Sequence, residues 1–382
     1  MNQCQLTIPG VTYAGPGSIE KISEIIEKEG VSSVLLFTDK GIRSTGLTAP
    51  IEALCADVAL TVIDDLATEP SYQDVERVIA EVEDSRIDLI IGVGGGSVMD
   101  AAKLASIVIG ADYGVRDLLK DPTIAKKYIK SLMIPTTCGT GSEATCNSIV
   151  AVPEQQSKQG IVNTCMIPDY VILDAAMIHG LPPKIVASTG VDALAHVVEC
   201  FTSKKATILS DTYAKEGARK IFRNIREAYA DADNMKAKTE LLIGAYYGGI
   251  AITGSGTTAV HALSYPLGGK YHIPHGVSNA ILFAHVMEFN KDACADRLAL
   301  LCDAVYPEKY AETVEAKADY IISEIKDIVA KVQIPTNLEE LGVKKEDIDF
   351  LVEAGSQQQR LLVNNCKELS LDDIRYLYNK LF

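Results

Sequence analysis

The chain has 382 residues, a formal net charge of −15, 9 cysteines, 6 histidines and no tryptophan. That length accommodates two domains, each burying its own core. The charge excludes nucleic acid as the principal partner, because phosphate binding needs a basic surface. No run of about 18 apolar residues predicts a membrane span. The first residues lack the basic-then-apolar pattern of a secretory leader. Scattered cysteines without Cys-x-x-Cys read as reduced core residues, so a cytoplasmic protein with no membrane partner is expected.

Leu6–Tyr13 reads as an additional edge strand or one exchanged between copies. Ser18–Lys28, Tyr72–Asp84 and Ser97–Ile109 have helical spacing. They alternate with short β-branched runs at Val34–Phe37, Leu60–Ile63, Asp88–Ile91, Leu132–Ile134 and Val171–Leu173. This alternation predicts an N-terminal α/β domain over residues 1–182, a mostly parallel sheet with helices on both faces. Ser148–Val152 and Gly160–Cys165 read as a hairpin appended to that sheet. After Leu181-Pro-Pro183 helical spacing dominates: Ser210–Asn224, Lys236–Gly249, Ser278–Phe289, Ala311–Val332 and Lys345–Glu353. An all-α C-terminal domain over 183–382 follows, with a ligand cleft expected where the two meet.

Asp88-Leu-Ile-Ile-Gly-Val-Gly-Gly-Gly-Ser-Val-Met-Asp-Ala-Ala-Lys103 spells strand, glycine turn and helix start. Gly94, Gly95 and Gly96 permit positive φ and let backbone amides approach a ligand. The helix N-terminus suits a pyrophosphate. Ser97 and Asp100 also fit a capping box, Ser-x-x-Asp, so a structural role stays open. A second turn, Pro135-Thr-Thr-Cys-Gly-Thr-Gly-Ser-Glu143, offers Thr136, Thr137 and Thr140, or another capped helix start. Asp39 closes the strand Val34–Thr38, where a carboxylate accepts from a ribose 2′-hydroxyl and repels a 2′-phosphate.

Asp192 and His196 lie four apart in Gly190-Val-Asp-Ala-Leu-Ala-His-Val-Val-Glu199, on one helical face. His261 and His275 bracket a stretch where Pro266, Gly268 and Gly269 are expected to break one helix and Pro274 to open another. Three imidazoles and one carboxylate suit Fe(II), Zn(II) or a similar divalent ion. Taken singly, each residue reads as well as a cap or surface interaction.

Gly-Gly-Gly-Ser-x-x-Asp-x-x-Lys, Pro-Thr-Thr-x-Gly-Thr, Asp-Ala-Leu-x-His-x-x-Glu and His-x₁₃-His-Gly occur here in a set order. In this the chain resembles the iron-containing (group III) alcohol dehydrogenase family over nearly its whole length. The resemblance implies a dinucleotide-binding domain followed by a helical metal-binding domain. It places Asp192, His196, His261 and His275 on the metal-ligand positions, with Fe2+ as the family's metal and Zn2+ or Mn2+ suited to the same set. Gly94, Gly95, Gly96, Ser97 and Asp100 fall on the pyrophosphate-loop motif, and Asp39 on the position that prefers NAD to NADP. Thr136, Thr137 and Thr140 match threonines lining the cofactor, and Lys158 a lysine near the nicotinamide. Many members carry a further histidine where this chain has Tyr265, a poorer proton shuttle at neutral pH. His272 is a substitute candidate, or simply a helix-flanking imidazole.

The implied activity is reversible hydride transfer between NAD(H) and a small primary alcohol or aldehyde, by a homodimer or higher homo-oligomer. The alternatives are a lyase like dehydroquinate synthase, which uses NAD and a metal without net redox change, and a catalytically idle oligomeric scaffold.

Overall fold

The structure is a computed structural model describing residues 3–82, 85–155 and 157–382. It divides into two compact units: Thr7–Thr137 with Gly141–Leu181, and Met1–Leu6, Cys138–Thr140 and Pro182–Phe382.

The first unit runs β1 Val11–Ala14, α1 Lys21–Glu29, β2 Ser33–Phe37, α2 Lys40–Ser44, α3 Ala49–Leu54 and β3 Ala59–Ile63. It continues through α4 Tyr72–Ala80, β4 Leu89–Gly94, α5 Gly96–Val108, α6 Val115–Lys120, β5 Lys130–Pro135, β6 Asn147–Val152, β7 Ser157–Val162 and β8 Tyr170–Leu173. Six of these strands form an all-parallel sheet in the order β1-β8-β5-β4-β2-β3. Both faces are covered. Leu35, Phe37, Ile90 and Met133 enter one core, while Val34, Leu36, Ile91, Leu132 and Ile172 enter the other. Burial on both sides is why β4 is apolar throughout instead of alternating.

Three expectations change here. The edge strand is shorter than Leu6–Tyr13 and pairs in parallel with β8, Val11 opposite Tyr170. The hairpin is a separate antiparallel pair of β6 and β7, and its second strand stops at Val162, before Cys165, where Asn163 caps the 3₁₀ turn Thr164–Met166. Helix α4 ends at Ala80, and the expected end at Asp84 lies outside the described residues.

The second unit is helical: α7 Pro183–Thr202, α8 Ile208–Ala230, α9 Met235–Ser255, α10 Ala259–Tyr271, α11 His275–Val305, α12 Val314–Lys331, α13 Ile348–Ser356, α14 Gln359–Leu362 and α15 Leu371–Asn379. Pro266 does not break α10; the helix runs through it, buried from Ala259 to Gly268. That packing offsets a cost of roughly 3 kcal/mol for an interior proline. The stop comes instead at His272, left-handed at φ 55, followed by Pro274, which precedes α11 as expected. Among the described residues α7 alone is long and apolar enough to cross a bilayer, and 83% of that window is buried in the protein.

Candidate metal centre and dinucleotide site

Helix α7 is buried along nearly its whole length, yet carries Asp192, His196 and Glu199 at successive turns. Such a polar stripe on an otherwise apolar rod needs partners, and α10 and α11 bring them. His261 sits in the first turn of α10 and His275 opens α11. The corner is tight. A Cβ at Gly276 would lie 2.1 Å from the Ser188 carbonyl oxygen, so only glycine lets α11 close onto α7 at this depth.

One ligating atom from each of Asp192, His196, His261 and His275 falls within 4.8 Å of the others. Nε2 of His261, His275 and His196 lies 3.6, 3.7 and 3.9 Å from Asp192 Oδ1. The His196 and His261 rings stack at 4.5 Å. The His275 side chain is 29% exposed against 3% for Asp192 and His261, so a small molecule meets the cluster from the His275 side. Burial alone would raise the Asp192 carboxyl, but the imidazoles of His196, His275 and His261 hold it far below the usual carboxylate range. Burial pushes His196 down to about 4, keeping a nitrogen lone pair free at neutral pH.

Asn279, one turn into α11, tests whether this set fits a cation. Its Nδ2 lies 2.6 Å from Asp192 Oδ1 and 3.1 Å from Nε2 of both His261 and His275. An amide has two hydrogens for these three acceptors. With Nε2 of each imidazole unprotonated, that amide could not satisfy all three, and the four converging N and O atoms are a donor set suited to a divalent ion. Tyr265 is buried, its ring 6.1 Å from that of His275. His272 is exposed and serves as the α10 cap.

In the α/β unit, β2 lies between β3 and β4, so the chain leaves the β2 and β4 ends in opposite directions. Ligands of open parallel sheets bind at such a switch point, beside the carboxyl ends of the strands. Asp39 follows β2, Gly94 ends β4 with Gly95 and Gly96 leading into α5, and Thr136 follows β5. The hydroxyls of Thr38 and Thr136 are buried there without a hydrogen-bond partner among the described residues, as suits a polar ligand. Asp39 also caps α2, its Oδ1 accepting from the Ile42 N–H at 2.9 Å.

The glycine turn works differently from the expectation. None of its three glycines has positive φ. Gly94 is needed because a Cβ would lie 2.6 Å from Val98, whereas Gly95, extended at φ −77 and ψ −172, faces open space with Thr137 no nearer than 3.5 Å. Ser97 and Asp100 form no capping box. The Ser97 hydroxyl accepts from the Glu69 N–H at 3.2 Å. Asp100 is a brace, bonded to the Ser142 hydroxyl, the Ile149 N–H at 2.8 Å and the buried Lys103 at 2.9 Å. Lys158 pairs with Glu69 at 2.7 Å. Thr137 is half-buried beside Gly95, and Thr140 lies in the short stretch grouped with the helical unit. No capped helix begins at Thr140; only the 3₁₀ turn Ser142–Ala144 follows. Sequence reasoning missed Glu69, Glu199 and Asn279; an i, i+4, i+7 polar stripe on an apolar helix was the available sign for Glu199.

A parallel sheet with a polar switch-point crevice and a helical unit with converging Asp-His₃ donors are the parts of a metal- and dinucleotide-dependent enzyme. The comparisons agree. The profile of iron-containing alcohol dehydrogenases matches residues 9–175, and that of the Fe-containing alcohol dehydrogenase family's C-terminal region matches 186–382. The chain is 33% identical to a long-chain-alcohol dehydrogenase of Geobacillus thermodenitrificans (strain NG80-2), with 100% of this chain and 98% of the other covered. The solved 1,3-propanediol oxidoreductase superposes with a TM-score of 0.95 at 28% identity, covering 100% of both chains. The sulfoacetaldehyde reductase of Bifidobacterium kashiwanohense, solved in complex with NAD+, gives 0.89 at 27% identity, covering 100% of this chain and 99% of that one. The chain belongs to the iron-containing alcohol dehydrogenase family. It is an enzyme of that family's chemistry, using NAD and a divalent metal on an alcohol or aldehyde; the lyase and scaffold alternatives are not favoured.

Proposed function

We propose that the protein works as an NADH-dependent reductase of a small aldehyde, reversibly forming the primary alcohol. The observation that carries this reading is the convergence of four ligating atoms within 4.8 Å in a buried pocket of helices. Asp192, His196, His261 and His275 would hold the ion, Fe2+ first and Zn2+ or Mn2+ as substitutes. When bound, it supplies Lewis acidity toward a substrate oxygen. Burial of Asp192, His196 and His261 keeps water from competing at the ligands. Tyr265, buried with its ring 6.1 Å from that of His275, would offer its hydroxyl to the substrate, and His272, exposed at the α10 cap, is the alternative candidate for that role.

Gly94, Gly95, Gly96 and Ser97 would receive the pyrophosphate, Asp39 the ribose 2′-hydroxyl, and Thr136, Thr137 and Thr140 the remaining length of the cofactor. Lys158, tethered by Glu69, serves the nicotinamide end, and Asp100 holds the loop in place. We also infer a cytoplasmic homo-oligomer. Nine free cysteines suit a reducing compartment, and β1, an edge strand paired with β8, offers its outer side to a second copy. Light scattering on the purified protein tests the latter, and a monomer would remove it.

The deciding assay offers a panel of short aliphatic, hydroxylated and sulfonated aldehydes to Fe(II)- and Zn(II)-reconstituted protein with NADH. Loss of absorbance at the reduced-nicotinamide band supports the proposal. No NADH oxidation with any aldehyde and either metal would overturn it.

A further inference from the structure

Glu199 is fully buried, one turn beyond His196 on α7. Its Oε2 contacts Nδ1 of His261, the nitrogen opposite the one facing Asp192. Its Oε1 accepts from the Thr258 N–H at 3.1 Å, the Thr258 hydroxyl at 2.6 Å and the Val260 N–H at 2.8 Å. Three donors on one oxygen mark an acceptor-only carboxylate. Among the described residues its ion-pair partner is His261, with no lysine or arginine beside it. A buried carboxylate without a cation costs several kcal/mol unless positive charge lies close by.

We infer that Glu199 is a positioning residue of the metal centre, the second anion that balances a divalent ion through His261. Holding Nδ1–H fixes the imidazole in the tautomer whose Nε2 lone pair faces Asp192, and it makes that nitrogen a stronger donor. Asp192 and Glu199 together then match a 2+ charge, one directly and one through the ring. The inference rests on the quartet being the metal site, as proposed above.

The test strips full-length protein with chelator and measures Zn2+ and Co2+ dissociation constants by competition, together with the Co2+ visible spectrum. Glu199→Gln is expected to weaken both ions about 10- to 100-fold and to shift the Co2+ bands, with the melting temperature of the metal-free protein largely kept. Thr258→Val, nearly isosteric, removes one donor to Oε1 and should weaken binding a few-fold; it is the reporter if Glu199→Gln does not fold. A folded Glu199→Gln with wild-type constants and spectrum overturns the inference, as does an unchanged Thr258→Val where that variant is the reporter. Failure of the quartet reading looks different: wild-type protein would then bind neither ion at the site, and His261→Ala would change nothing.

Discussion

Gly276 and Ser188 leave no room for a methyl group between them, since a Cβ on Gly276 would come within 2.1 Å of the Ser188 carbonyl oxygen. Backbone cannot yield as a flexible side chain does, so Gly276→Ala must push the first turn of α11 off α7 and carry His275 away from Asp192. We expect a stability loss of about 1–3 kcal/mol from overpacking. Turnover should drop by about 100-fold, as for a small misplacement of reacting groups. Thermal melts and metal content per chain check both.

His261→Ala and His275→Ala are expected to lose retained metal and turnover while NADH still quenches normally, because the residues assigned to the cofactor lie on other segments. The two should differ in folding. His261 is 3% exposed and bridges Glu199 to Asp192, so its loss destabilises the bundle more than loss of the 29% exposed His275. Metal analysis and chemical denaturation of the two variants separate these effects; equal stability with metal retained would contradict the assignment.

Cofactor preference should turn on Asp39. Its carboxylate would face a 2′-phosphate with like charge, so removing it is expected to raise the NADPH/NADH ratio of kcat/KM by about tenfold or more, near 1.4 kcal/mol. Because Asp39 also caps α2, Asp39→Asn and Asp39→Gly are the clean variants; alanine would add a capping loss of roughly 1 kcal/mol. An unchanged ratio in both variants removes the role.

Glu143 predicts a pH dependence of stability. It is 1% exposed, and burial raises its carboxyl from 4.5 to about 7. Between those values the folded protein holds a proton that the unfolded chain has released, so stability falls as pH rises through this window and levels off above about 7. Glu143→Gln should abolish that slope and gain up to about 3 kcal/mol at pH 8, at about 1.4 kcal/mol per pKa unit. Urea midpoints of ligand-free protein from pH 5 to 8.5 provide the measurement.

The Asp-His₃ cluster is partly legible in the sequence: Asp192 and His196 obey helical spacing and the histidines crowd around two helix ends, while the family resemblance joins the two pairs. The parallel sheet is legible for a similar reason: doubly covered strands must be apolar throughout. What hides is what tertiary packing decides. Pro266 signals a break that a buried α10 overrides. Ser97 and Asp100 spell a cap, but the serine serves Glu69 and the aspartate bonds Lys103, Ser142 and β6, partners distant in sequence. The glycine turn is visible while its purpose is not, since φ and close approach leave the same letters. Asn279 carries no local signature, and Glu199 shows only as the last letter of a helical motif, with nothing nearby in sequence to name His261 as its partner.

Asp192 and His275 stand at opposite ends of a segment of roughly 80 residues that includes α8, α9 and α10. Joining such distant points with one ion closes a long loop, and cross-links of that kind remove unfolded-chain entropy. An ion held by this set would therefore also staple the helical bundle, more strongly as the free-ion concentration rises. During synthesis such a staple would close only after α11 had emerged, since His275 is its first residue.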